Sequence, residues 1–276
     1  MGAVPVRDPF LRYPMRNDTV EEEQRLAIHQ QVYDPRTIQL LGTIGIQPGW
    51  ACAELGAGRG SIAAWLADRV GPDGSVMAVD RDVNQLGWVR DRPGINVVQA
   101  DLNTFDFPEE SFDLVHARAV LMHLDDPASL LPGLVSSLKP GGCMVLQEGD
   151  GLPSEGEVDA PESYQRVMTA IAKRYTAARH FAEDLRALGL EEVTHEVTPN
   201  EVIGGTMRAT YWMQTVDVVT RARAITDEQW LADVEDIRRH LMNPRFKAPL
   251  LNLHTIVGRR PAGDAPTSTR SDNLIW

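Results

Sequence analysis

A chain of 276 residues, 43% hydrophobic and 24% charged, can bury one large α/β domain, and it holds no apolar run near the ~18 residues of a membrane span. Its net charge of -12 argues against nucleic acid as a partner, because phosphate-backbone contacts draw most of their energy from clustered Lys and Arg. Met1 to Phe10 lacks a basic region followed by an apolar core, so the expected location is cytoplasmic.

The first 45 residues read as an N-terminal helical cap. Thr19 and Glu22 form a capping box for a helix to Tyr33, and Asp34-Pro35 reads as the opening of a second helix that ends at Gly45. Upstream, Phe10 to Met15 is aromatic and apolar; it needs a surface to pack on, either this domain or a neighbouring subunit in a homo-oligomer.

Next comes Trp50-Ala51-Cys52-Ala53-Glu54-Leu55-Gly56-Ala57-Gly58-Arg59-Gly60-Ser61, a short strand, a glycine loop and the start of a helix that stops at Gly71. Strand and helix then alternate. Strands are expected at 75–79, 95–100, 112–116 and 143–147, with a helix over Asp82 to Arg90 weakened by Gly87, and another opened by Asp126-Pro127 and kinked at Pro132-Gly133. Such alternation specifies right-handed βαβ units and a doubly wound parallel sheet, whose ligands sit at the carboxyl ends of the strands. Past Glu148 the pattern gives a polar loop, a helix over Glu162 to Arg179, a second over Phe181 to Leu188 and a strand over Val193 to Val202. Two further helices, Thr206 to Ala224 and Thr226 to Leu241, precede a last strand, Leu250 to Val257. The expected organisation is a single domain over 1–261, with the cap at 1–45, a cofactor core at 46–150, a helical insertion at 204–246 and a flexible tail at 262–276. Cys52 and Cys143 fall in expected buried strands, where a free thiol acts as a small hydrophobe and calls for neither metal nor disulfide.

The glycine loop is a ligand loop, since glycines allow close backbone approach and a helix start leaves amide N–H groups free. A dinucleotide fingerprint would need a third glycine at position 61, where Ser61 stands. Glu54, two residues before the first glycine, would repel a pyrophosphate but attract a cationic ligand. S-adenosylmethionine carries an ammonium and a sulfonium and no phosphate. Asp80 ends the next strand, 20 residues after Gly60, where a carboxylate can accept ribose hydroxyls.

Glu54 to Gly60, Val79-Asp80, Gln99-Ala100-Asp101, Phe112 to His116 and Leu138 to Gly142 occur in an order that resembles the class I S-adenosylmethionine-dependent methyltransferases. The resemblance spans about Trp50 to Glu148. It implies a Rossmann-like, seven-stranded α/β sheet with the last strand antiparallel and paired beside the fifth. It implies that Glu54, Gly56, Gly58 and Gly60 cradle the methionine portion, that Asp80 holds the ribose with Arg81 at its edge, and that Asp101 reads the adenine amine beside Leu102. His116 to Arg118 would flank methionine and substrate, and an insertion between late strands would form a lid.

The expected reaction is methyl transfer to an oxygen, nitrogen or carbon of a small, apolar acceptor of the secondary-metabolite kind. His123, Glu148 and His116 are the candidates for the base, as imidazole titrates near neutrality and all three follow strands that end at the crevice. Tyr13, Tyr211 and Trp212 are the candidate acceptor contacts, although an aromatic helix face is also a common core feature. The competing readings are a nicotinamide-dependent oxidoreductase, a nucleic-acid methyltransferase and a non-catalytic cofactor-binding protein. His116-Ala117-Arg118-Ala119 stands where base-amine methyltransferases carry an Asn- or Asp-Pro-Pro-aromatic motif.

Overall fold

The computed structural model describes residues 20–151, 160–173, 175–222 and 224–263. Tyr13, the Phe10 to Met15 segment and the tail from 264 onward lie outside them.

Seven strands form one sheet in the order β3-β2-β1-β4-β5-β9-β6. Its parallel part comprises β1 (Ala51–Leu55), β2 (Ser75–Asp80), β3 (Ile95–Gln99), β4 (Phe112–Arg118) and β5 (Leu138–Asp150). β6 is Glu191–Thr198 and the final strand, β9, is Asn252–Arg259. β9 runs antiparallel between β5 and β6, with Val145 opposite Val257 and Thr194 opposite Val257 on its other side. This is the expected doubly wound sheet. A separate ribbon joins β7 (Glu201–Ile203) to β8 (Lys247–Pro249).

Apolar side chains on the two sheet faces explain the layering. On one face, Leu41 of α1 (Val20–Ile44) and Ile62 and Leu66 of α2 (Ser61–Val70) are buried against Val76, Leu114 and Val145, with Val89 of the short α3 (Gly87–Arg90). On the other, Leu131 and Leu134 of α4 (Pro127–Ser137) join Phe181 and Leu185 of α6 (Ala178–Ala187) against Val115, Met144 and Ile256. A third apolar cluster lies among α5 (Glu162–Ala172), α7 (Met207–Ala222) and α8 (Glu228–Leu241), built on Tyr164, Met168, Trp212, Val216 and Ile237. Cys52 and Cys143 are fully buried free thiols in β1 and β5, and burial pushes them up to about 12 and about 11.

Several boundaries differ from the sequence expectation. α1 is one helix of 25 residues that runs through Pro35, not two. Proline's φ is already helical; what it removes is one N–H, and here side chains on both sides of Pro35 anchor the helix through Arg25, Asp34 and Thr37. The expected helix over Glu162 to Arg179 ends at Ala172, and the next begins at Ala178. The strand expected over Val193 to Val202 is interrupted at Pro199-Asn200, where the Asn200 carbonyl accepts from the Leu250 amide at 2.8 Å. The strand expected from Leu250 begins at Asn252, with Lys247–Pro249 split off into the ribbon.

Candidate functional site

The strand order reverses between β1 and β4, and a cavity of about 830 Å³ opens at the carboxyl ends of β1 to β4. The glycine loop forms its floor. Gly56 has φ +59°, and a Cβ there would lie 2.1 Å from Val120 Cγ2; at Gly60, φ +79°, a Cβ would meet Val89 and Leu86. These two glycines are therefore demanded by the protein's own packing as well as by any ligand.

Three carboxylates face this floor. Glu54, one residue before the end of β1, is almost fully buried, and His116 Nδ1 sits 2.6 Å from its Oε2. Asp80 ends β2; its Oδ2 accepts from the Gly58 amide at 2.8 Å and its Oδ1 from the Asp82 amide at 3.0 Å. Burial raises the Asp80 carboxyl above its ordinary value, although both amides pull the other way. Asp101, after β3, accepts from the backbone and side chain of Asn103 at 2.9 and 2.7 Å. Arg81 and Leu102 line the same end.

The opposite wall comes from α1, α7 and the loop after β4. Arg25, His29 and Tyr211 line it, with Arg118 and His123. The rings of His29 and Tyr33 lie 4.8 Å apart, those of His29 and Tyr211 5.3 Å, and Tyr211 meets Tyr33 edge-on at 5.7 Å. Burial, then the nearby guanidiniums of Arg118 and Arg25, hold the His29 imidazole well below its usual value, so it is neutral at pH 7.

A buried polar chain ties the two ends together. Beyond Glu54 and His116, His116 Nε2 lies 3.5 Å from Gln147 Oε1, which accepts from the Thr37 hydroxyl at 2.8 Å. That hydroxyl accepts from Arg118 Nη1 at 2.8 Å, and Arg118 Nη2 donates to Asp34 at 2.7 Å.

The two candidate residues that follow or end the later strands sit behind the cavity wall. His116 is fully buried in β4 and presents its ring to Glu54. Glu148, also fully buried, accepts from the amides of Val120, Leu121 and Met122 at 3.1 to 3.2 Å, and burial pushes it up to about 7 despite them. His123 does line the cavity, its ring edge-on to Tyr175 at 5.6 Å. Tyr211 faces in, whereas its neighbour Trp212 is buried in the third apolar cluster.

Residues 53–146 match the family model described as a methyltransferase domain. The match spans the strands and loops from β1 to β5 that build the cavity floor. Trans-aconitate 2-methyltransferase of Methylobacterium radiotolerans is 34% identical over 150 residues, which cover 53% of this chain and 54% of that protein. A ubiquinone/menaquinone biosynthesis C-methyltransferase of Stenotrophomonas maltophilia is 35% identical over 109 residues, covering 37% and 43%. The chain thus spans about half the length of the curated relatives it matches. In architecture it is similar to a solved putative methyltransferase of Bacillus halodurans, at a TM-score of 0.55 and 18% identity over 81% of this chain and 98% of that one.

The matched region supplies the glycine loop and the carboxylates of Glu54, Asp80 and Asp101, all legible in the sequence. Arg25, His29 and Gln30 of the opposite wall precede it, and the sequence reading did not single them out. Their signal was spacing: Glu22, Arg25, His29 and Tyr33 recur at helical intervals, a polar and aromatic stripe on one face of α1. No helix among the described residues is long and apolar enough to cross a membrane.

Proposed function

We propose that this chain transfers the methyl group of S-adenosylmethionine to a nucleophilic oxygen, nitrogen or carbon of a small acceptor. The observation that carries the reading is the cavity in which Glu54, Asp80 and Asp101 face the wall formed by α1 and α7. Its volume of about 830 Å³ suits a cofactor together with a small second molecule. Buried Glu54, half-buried Asp80 and the exposed Asp101 fit a ligand with an ammonium, a sulfonium and ribose hydroxyls, and they disfavour a pyrophosphate. The relatives' names, for trans-aconitate and for ubiquinone/menaquinone, support a small-molecule acceptor.

In this reading Glu54, oriented by His116, takes the ammonium, Asp80 takes the ribose with Arg81 at its edge, and Asp101 with Leu102 takes the adenine. The bound cofactor supplies an electrophilic methyl on sulfur. The protein's own contribution is to position the acceptor against it, with Tyr211 in contact, and to receive a proton where the nucleophile carries one. His123 is a candidate for that step, and neutral His29 is a second. The buried setting of Glu148 and His116 favours a supporting role for both. A tailoring role in secondary metabolism, a cytoplasmic location and a helical lid over the acceptor belong to the same reading.

Incubation with methyl-labelled S-adenosylmethionine and a metabolite pool, followed by mass spectrometry, should yield a product one methyl heavier. A cofactor-binding protein that never transfers label under these conditions would contradict the reading. Heat on titration with NADH but not with S-adenosylhomocysteine would favour the oxidoreductase instead.

A further inference from the structure

The acceptor end of the cavity holds two guanidiniums, and each is already matched to a carboxylate of the protein. Arg25, 4% exposed, grips fully buried Glu22 through Nε at 2.8 Å and Nη2 at 2.6 Å, while Nη1 donates to the Tyr211 hydroxyl at 3.1 Å. Arg118 donates Nη2 to Asp34 at 2.7 Å and Nη1 to Thr37 at 2.8 Å. The planar fork that would recognise a substrate carboxylate is therefore turned on the protein's own acids. Neutral His29 between them adds no positive charge. Further along, five carboxylates line the cavity, among them Asp80, Asp101 and Asp125, against Arg81 and Arg59, the latter bound by Glu23 at 3.1 Å. Carboxylates thus outnumber guanidiniums along the lining, and Arg25, Arg118 and Arg59 are each paired with an acid of the protein.

We propose that Glu22 and Asp34 are specificity determinants that neutralise Arg25 and Arg118, so that the acceptor subsite takes an uncharged, hydrogen-bonding molecule and rejects polycarboxylates. A polyanion entering this wall would have to displace an internal carboxylate or lie beside it, and like charges at that distance repel. An uncharged acceptor meets the same pairs as fixed dipoles and brings no like charge to them. The inference rests on the methyltransferase reading, and it separates this chain from the relatives named for trans-aconitate, a tricarboxylate, despite their sequence similarity.

The test uses trans-aconitate as the anionic probe, titrated calorimetrically at fixed pH and ionic strength into the full chain loaded with S-adenosylhomocysteine. Loading is measured first. In the wild type, trans-aconitate should bind at least roughly ten-fold more weakly than in Asp34→Asn, where the Arg118 guanidinium loses the charge that neutralises it. Adding Arg118→Gln to Asp34→Asn should abolish the gain. Glu22→Gln should act similarly through Arg25; if that buried substitution prevents folding, Asp34→Asn still decides the matter. Tight trans-aconitate binding by the wild type would overturn the inference. So would unchanged affinity in Asp34→Asn with S-adenosylhomocysteine binding and melting temperature intact. Failure of the wild type to bind S-adenosylhomocysteine would sink the methyltransferase reading, and this inference with it.

Discussion

At the scale of single residues, Asp80 at the end of β2 and Glu148 near the end of β5 show how a carboxylate at the carboxyl side of the sheet meets two different fates. Asp80 faces the cavity with amide donors on both oxygens. Asp80→Ala should weaken S-adenosylhomocysteine binding by about 1 to 3 kcal/mol through lost charge-assisted hydrogen bonds, measured by calorimetry with the fold checked by its melting curve. Glu148 turns instead to the three amides after Ala119. Its ordinary value of 4.5 is raised to about 7 in the fold, so the folded state favours the protonated form. The resulting stability is fully present below pH 4.5 and is lost as pH rises through about 7. Wild type should therefore lose roughly 3 kcal/mol relative to Glu148→Gln between pH 4.5 and 8, read from denaturant unfolding at both pH values. Parallel curves for the two proteins would contradict it. The sequence marks both acids as following strands, yet β5 continues past Glu148 to Asp150, and the turn that draws its carboxylate away depends on backbone after β4 that no local pattern encodes.

At the scale of elements, the glycine loop and α1 mark the extent of what local sequence can convey. Gly56, Gly58 and Gly60 follow a strand and precede a helix, and their positive φ values follow from that role. Gly56→Ala combines a strained φ of +59° with a Cβ 2.1 Å from Val120. It should lower stability by ~2 kcal/mol or more in denaturant unfolding. α1 was legible as helical, but Asp34-Pro35 carries the signature of a helix start and conceals a continuous helix. Pro35 is exposed, so Pro35→Ala should restore a backbone hydrogen bond and raise stability by about 1 to 2 kcal/mol, net of the entropy proline removes from the unfolded chain. A lower melting temperature would show that the ring itself sets the helix course. The stripe from Arg25 to Tyr33 becomes a wall of the cavity only because α7, some 180 residues later, packs against α1.

At the scale of the molecule, the parallel sheet follows from the alternation of strands and helices, the family resemblance implies an antiparallel last strand beside the fifth, and both are present. The facing of α7 was harder to read. Tyr211 and Trp212 are neighbours about 100° apart on a helix, and their sequence fits either core or cavity. The apolar cluster with Tyr164 and Ile237 claims Trp212, leaving Tyr211 to the cavity and to Arg25. Trp212→Ala should therefore cost ~3 to 5 kcal/mol of stability, measured by denaturant unfolding. Tyr211→Phe should leave unfolding and cofactor affinity near wild type and act on the acceptor's KM. Calorimetric titration of the whole chain with S-adenosylhomocysteine decides whether Glu54, Asp80 and Asp101 build a methyltransferase site. One-to-one binding is expected, with a Kd near the micromolar range, or about -8 kcal/mol, and a clear weakening in Asp80→Ala. Absence of heat, or equal affinity in Asp80→Ala, would contradict it.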